Sequence, residues 1–239
     1  MAIPTYFGSG VLNGADTDAY GPVAFPADTQ AGDIAILVTA SEGHTEALSD
    51  AQGFAELGSQ ANKTYGVAGN NGSICVGVYW KRLAGGDTGP SVAAVASRAH
   101  VGVIHVVRGC IATGDPWNVW AEGVSSSSSA SISIVGAETT VADCLVMAIV
   151  GHSRDVGGAA VSAWANTDLA NLAERQDEST NVSYGVGLAM ATGEKAAAGT
   201  YAATTATLVG ASSWGTTSIA LRPAAAAAAA TRSFAVVIA

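Results

Sequence analysis

Short apolar runs recur along the chain, and their order in the first half returns in the second half. An aspartate, Asp33 in one half and Asp143 in the other, precedes the first long run of each half. An arginine, Arg108 or Arg222, closes the last run of each half. The offset between matching features stays between about 110 and 115 residues, as expected of an internal duplication. The sequence therefore predicts two diverged pseudo-repeats.

The apolar runs have the length and the boundaries of β-strands. Ile34–Val38 and Cys144–Val150 are continuous apolar stretches, and glycine, proline, asparagine and aspartate separate such stretches throughout the chain. Helical periodicity is scarce. We therefore expect an all-β fold, a two-layer antiparallel β-sandwich of the jelly-roll-like type. Residues 31–109 and 142–222 are the pseudo-repeats, and we expect them to pack as one unit.

Three further segments bear on the strand assignment. Ser131–Ile134 alternates polar and apolar residues, so one face of that strand should remain in solvent. The connector that contains Trp117 and Trp120, with the serine run Ser125–Ser129 after it, is expected to be a loop. Asp168–Asp177 fits either a short amphipathic helix or a strand. The repeat favours a strand there.

The composition indicates a protein that associates with other subunits. Charged residues make up 12% of the chain and apolar residues 49%, with 29 glycines. A chain so poor in charge is uncommon among free monomers, so we expect a homo-oligomer. A net charge of −9 argues against a nucleic-acid partner, which would require clustered lysine and arginine. No run approaches the roughly 20 apolar residues that span a bilayer, so no membrane partner is expected.

Residue types that carry catalysis or bind metals are scattered. The histidines lack metal-ligand spacing; they are His44, His100, His105 and His152. His100 and His105 would point to opposite faces of a shared strand. Gly151–Asp155 places histidine, serine and aspartate side by side, but its glycine-rich context predicts a loop. We therefore expect no catalytic, cofactor-binding or metal-binding residues, and three buried thiols at Cys75, Cys110 and Cys144.

The chain changes character at its C-terminal end. We divide it into a β-sandwich at 1–223, an alanine linker at 224–230 and a strand-like assembly arm at 231–239. The arm is apolar and β-prone, which is an aggregation hazard if it is left unpaired. It is predicted to add an edge strand either to its own sandwich or to a neighbouring subunit. The candidate assembly residues are Phe234, Val236, Val237 and Ile238.

Three segments of the first half resemble a group of phage and prophage structural proteins. The segments are Ala31–Val38, Val78–Ala84 and Val103–Gly109: a Gly-Asp that opens an apolar strand, an aromatic-Lys/Arg strand, and a strand that ends at Arg-Gly. The resemblance covers residues 31–109, and 142–222 more faintly. It implies a β-sandwich component of a phage particle, of the capsid decoration, minor capsid or tail-associated type, and it assigns no catalytic residues.

The expected function is that of a non-enzymatic phage virion structural protein. It would be a capsid decoration or minor capsid protein that docks through neighbouring capsid or tail subunits, is made in the host cytoplasm and lies on the capsid exterior. The alternative is a glycan- or receptor-binding tail-associated module that stacks its ligand on Trp117 and Trp120. A glycoside hydrolase ranks third, because it needs two carboxylates across a cleft. Its candidates would come from loop acids such as Glu42, Glu46, Asp50, Asp115, Glu122, Asp155 and Asp177.

Overall fold

The computed structural model is built from β-strands joined by turns and irregular segments. It describes residues 1–15, 19–43, 47–57, 63–65, 73–93, 98–125, 127–181 and 185–225. The backbone of these residues forms strands and no helix, which confirms the all-β prediction. The predicted arm at 231–239, and the alanine linker from residue 226 onward, lie outside the described residues.

The first half contains one large and one small antiparallel sheet. The large sheet has the order β1-β10-β4-β8-β6, with β2 also paired to β10 and β7 to β8; the small sheet has the order β3-β9-β5. The strands are β1 (Thr5–Ser9), β2 (Asn13–Ala15), β3 (Ala19–Tyr20), β4 (Ile34–Glu42), β5 (Ala47–Asp50), β6 (Ala55–Glu56), β7 (Lys63–Tyr65), β8 (Ile74–Arg82), β9 (Ser91–Ala93) and β10 (His100–Arg108).

The second half contains one large and two small sheets. The large sheet has the order β11-β20-β14-β17-β16, and the small sheets are β12-β19-β15 and β13-β18. The strands are β11 (Trp117–Val124), β12 (Ser129–Ile134), β13 (Ala137–Thr139), β14 (Cys144–His152), β15 (Val161–Ala165), β16 (Ala170–Thr180), β17 (Val186–Lys195), β18 (Gly199–Tyr201), β19 (Thr204–Ser212) and β20 (Trp214–Leu221).

The two large sheets have the same strand order. In each large sheet, the closing strand of the half lies between its opening strand and its first long strand. The second long strand then pairs with the other side of the first long strand. This series is β1, β10, β4, β8 in the first half and β11, β20, β14, β17 in the second, with every neighbouring pair antiparallel. A matching order is what duplication would produce. The duplication itself and the jelly-roll connectivity stay predictions.

The large sheets pack face to face and share one hydrophobic core. We call it the central core; it includes Ile36 and Val38 of β4 with Met147 and Ile149 of β14. The opposite face of each large sheet is also covered. A second cluster, which includes Leu37, lies between the first large sheet and β3-β9-β5, and two further clusters cover the outer face of the second. The fold therefore has outer layers beyond the expected two.

Burial on both faces explains the continuous apolar runs. Ile36 faces the central core and its neighbour Leu37 faces the outer cluster, so every residue of β4 is buried. Strands buried on both faces have nearly continuous apolar sequences, whereas half-exposed strands alternate. The outer strand β12 shows that alternation. Ile132 and Ile134 are buried while Ser131 and Ser133 are exposed, as predicted.

Two segments decide the remaining strand predictions. The connector around Trp117 and Trp120 is strand β11 and not the expected loop; it pairs with β20 along its length. Its residues are mostly half-buried, which gives no apolar alternation that sequence could reveal. The segment that fitted helix or strand is β16, so the choice made from the repeat is confirmed. The three cysteines are free and buried, also as predicted.

Gly151 marks a close approach between the large sheets, and we expect a larger residue there to destabilise the fold. A Cβ at this position would lie 2.6 Å from Cγ2 of Val76 and 3.2 Å from Cβ of Ala40. Overpacking a dense core costs about 1–3 kcal/mol. Urea denaturation of Gly151→Ala should show a loss in this range. In the control Gly157→Ala, the nearest side-chain atom to the new Cβ is 3.8 Å away, so its stability should not change.

Candidate functional site

The described histidines are separate buried side chains. His100 stacks on Tyr20, with ring centroids 4.9 Å apart, on the outer face of the first large sheet. His105 lies on the central face, where its Nδ1 is 3.3 Å from the hydroxyl of Tyr6. The opposite orientation of these two histidines is therefore confirmed. His44 lies outside the described residues, and among those described no group of three or more His, Cys, Asp or Glu could hold a metal ion.

His105 is held neutral by its surroundings. Burial lowers its pKa to about 3, because the charged imidazolium loses its hydration inside the protein. The adjacent Tyr6 ring has the guanidinium of Arg175 over its face, 5.1 Å from the centroid. Burial also raises the pKa of Tyr6. The pair joins β1 to β10, and the contact between Tyr6 and Arg175 connects β1 of the first half to β16 of the second, which is a structural role.

The Gly151–Asp155 segment forms the end of β14 and a turn. Nδ1 of His152 accepts a hydrogen bond from the backbone N–H of Arg154 at 3.2 Å, so the proton of the neutral ring is on Nε2. The Ser153 hydroxyl is 3.0 Å from that of Ser212 inside the protein, while Asp155 is exposed. Burial, and secondarily the charge of Arg154, lowers the pKa of His152 to about 4. His152 and Ser153 therefore contact different partners and Asp155 faces solvent, so none of these contacts joins the three side chains.

Trp117 and Trp120 are half-buried on β11. Both pack against the central core, and Trp117 contacts Trp80 edge to face with the ring centroids 5.1 Å apart. A sugar-binding platform requires an exposed ring face, and these contacts occupy part of each ring. Ligand stacking by the two tryptophans stays a prediction.

The aspartate and arginine that recur in the two halves make different contacts in each half. In the first half, Nε of Arg108 donates to the carboxylate of Asp33 at 3.0 and 3.2 Å. In the second half, the carboxylate of Asp143 lies 2.7 Å from the amino group of Met1. The Nε of Arg222 is buried and has no hydrogen-bond partner among the described residues. Among the described residues, therefore, the closing arginine of the first half has its Nε paired and that of the second half does not.

Arg222 lines an apolar hollow where the described chain ends. The hollow has a volume of about 180 Å³, and its other lining residues are apolar: Met1, Ile111, Val141, Pro223 and Ala225. It adjoins a hollow of about 410 Å³ that shares Met1 and Ala225 and extends past Ile3 and Thr5 to Arg108. We call the two together the terminal groove. It is a surface suited to an apolar segment with a free backbone carbonyl.

Sequence reasoning missed the terminal groove. Its residues come from connectors and chain ends that are far apart in sequence, and each is unremarkable alone. The one usable signal was the arginine that closes each half. The predicted assembly residues Phe234, Val236, Val237 and Ile238 lie outside the described residues, but the described chain ends at the groove because Ala225 lines both hollows.

His152 should make the protein less stable in acid. Its folded pKa of about 4 is below the unfolded value of 6.5, so the unfolded chain binds the proton first and stability falls as the pH drops from about 6.5 to about 4. Between about pH 7 and pH 5 this contribution is roughly 2 kcal/mol. Urea denaturation should show a smaller acid-induced loss in His152→Gln than in the wild type. Equal losses would contradict a buried neutral ring, and between about pH 7 and pH 8 the two proteins should change alike.

Comparison with known proteins assigns this chain to no family. It matches no protein-family model, no curated protein and no solved structure. None of the described residues belongs to a helix of the length and apolarity needed to cross a membrane. The resemblance to phage virion proteins therefore remains an expectation from sequence.

Proposed function

We propose that the chain is a non-enzymatic structural protein of a bacteriophage virion, a capsid decoration or minor capsid protein that binds neighbouring subunits. The observation that carries the assembly role is the terminal groove, an apolar surface at the point from which the linker and arm continue. An apolar surface that opens to solvent is a common site of association with another protein. The assignment to a virion rests on the sequence resemblance.

The polar groups of the described core support a scaffold role. Asp177, which was one of the loop acids open to hydrolase chemistry, accepts backbone N–H groups of Ala160 at 2.9 Å and Val161 at 2.8 Å. Burial raises its pKa. Glu42 is buried and lies 3.3 Å from the guanidinium of Arg98. Both carboxylates stabilise strand ends, which is the function expected of acids in a structural module.

The glycan- or receptor-binding role stays the alternative. It rests on Trp117 and Trp120, whose rings are only partly accessible. A glycan array probed with the wild type and with Trp120→Ala would test it. Saturable binding that the substitution abolishes, in a variant whose circular dichroism shows that it is still folded, would favour this alternative over the assembly role.

Purified virus particles provide the direct test of the virion proposal. We expect quantitative mass spectrometry of the particles to find the chain in stoichiometric amounts relative to the major capsid protein. Cryo-electron microscopy should then place it on the outer face of the shell. A chain that is absent from purified particles, or removed by a mild salt wash, would contradict the proposal. Density at a tail tip, with the tryptophans outward, would favour the glycan-binding alternative.

A further inference from the structure

Phe234 has the largest apolar side chain of the predicted arm, and its size matches that of the smaller hollow of the terminal groove. A cavity of about 150 Å³ accommodates a benzene molecule, and the hollow beside Arg222 has a volume of about 180 Å³. Phe234 is the one aromatic residue beyond Ala225. The apolar lining of Ile111, Val141 and Pro223 suits a phenyl ring.

Arg222 supplies a polar contact for the same segment. Its Nε is buried and lacks a partner among the described residues. The corresponding atom of Arg108 has a carboxylate partner at 3.0 Å. A buried donor without an acceptor is costly, so an incoming backbone carbonyl beside the phenyl ring would satisfy Nε of Arg222. The groove therefore offers both an apolar site and a hydrogen-bond donor.

The sequence after Ala225 argues against the chain filling its own groove. Because Ala225 lines the groove, the chain would have to reverse direction to bring Phe234 back to it. Of the residues that favour such reversals, glycine, proline, asparagine and aspartate are absent from 224–239, and the one serine, Ser233, directly precedes Phe234, where a turn would come too late to bring the ring back. An extended stretch of nine residues, by contrast, reaches about 30 Å. Such a reach carries Phe234 well away from its own groove.

We propose that the terminal groove of one copy binds the 231–239 segment of a second copy, with Phe234 in the hollow lined by Ile111, Val141 and Arg222. This deepens the assembly role proposed above and rests on it. Docking of this kind links identical subunits through a short apolar segment, and the buried residues of the four hydrophobic clusters described in each copy lie elsewhere in the chain, between Tyr20 and Leu221. The partner is therefore the same chain.

Two full-length variants test the proposal by complementation. Phe234→Glu places a charge in the 231–239 segment, so that the segment no longer binds, and leaves the groove intact. Ile111→Glu places a charge in the groove, so that the groove no longer binds, and leaves the segment intact. Ile111 is half-buried and belongs to none of the clusters in the described chain. The molar mass of each purified protein, alone and mixed in equal amounts, is measured by light scattering after size-exclusion chromatography.

We expect the wild type to self-associate and each variant alone to be monomeric. The equimolar mixture should contain dimers, because the intact segment of one variant binds the intact groove of the other. Because Phe234→Glu removes a buried phenyl ring, the dissociation constant for self-association of this variant should be at least about 10-fold higher than that of the wild type. The control Val11→Glu, at a side chain that is 77% exposed, should associate like the wild type.

Several outcomes would overturn the proposal. The proposal is wrong if the wild type is monomeric, or if either variant alone associates as the wild type does. It is also wrong if the equimolar mixture of the variants contains only monomers, or if the control Val11→Glu is monomeric. A monomeric wild type whose two variants form dimers on mixing would instead fit a segment bound in its own groove. If circular dichroism shows that Ile111→Glu is unfolded, the milder Ile111→Thr takes its place. The light-scattering experiment uses no virus particles, so a negative result in it does not contradict the virion proposal. Likewise, absence of the chain from purified particles does not contradict docking between two copies.

Discussion

The contact between the two large sheets is the interaction on which the rest of the fold depends. Each half contributes strands to a single central core, with side chains such as Ile36 and Met147 on facing sheets. A large sheet that is apolar on both faces cannot be stable with one face in water. The outer sheets are therefore a consequence of the central contact, since they cover the second face of strands whose first face is already buried.

The same contact determines how polar groups are accommodated. Strands buried on both faces bring their histidines inside, and burial holds the pKa values of His105 and His152 at about 3 and about 4. The charged pairs lie at strand ends. Asp33 at the start of β4 binds Arg108 at the end of β10, and Lys81 near the end of β8 lies 2.6 Å from Asp87. The carboxylates of Asp33 and Asp87 are only 6% and 9% exposed, so their cationic partners offset the cost of desolvation.

Sequence reasoning located the long inner strands and missed the short or mixed ones. Strands such as β4 and β14 are continuous apolar runs because both their faces are buried, and such runs are visible in a sequence. The edge strand β11 is half-buried along most of its length, so its composition resembles that of a loop. Strand β3 of a small sheet and strand β6 at the edge of a large sheet have two residues each, which is too short for any periodicity. The terminal groove could not be predicted, because tertiary packing alone brings Met1, Ile111 and Val141 together.

The two halves share a sheet order but differ in how they use the recurring aspartate and arginine. In the first half the pair is closed, and Arg108 also packs its guanidinium 3.5 Å from the centre of the Phe7 ring. In the second half Asp143 binds the amino group of Met1, and Arg222 lines an apolar hollow beside the exit of the chain. A closed ion pair stabilises a strand end, whereas an arginine Nε that has no partner in the described part of the chain, next to apolar surface, suits recognition of another segment. If the halves arose by duplication, they have diverged at this position: the first half keeps the aspartate–arginine pair, and in the second half the aspartate binds Met1 while the arginine lines the terminal groove.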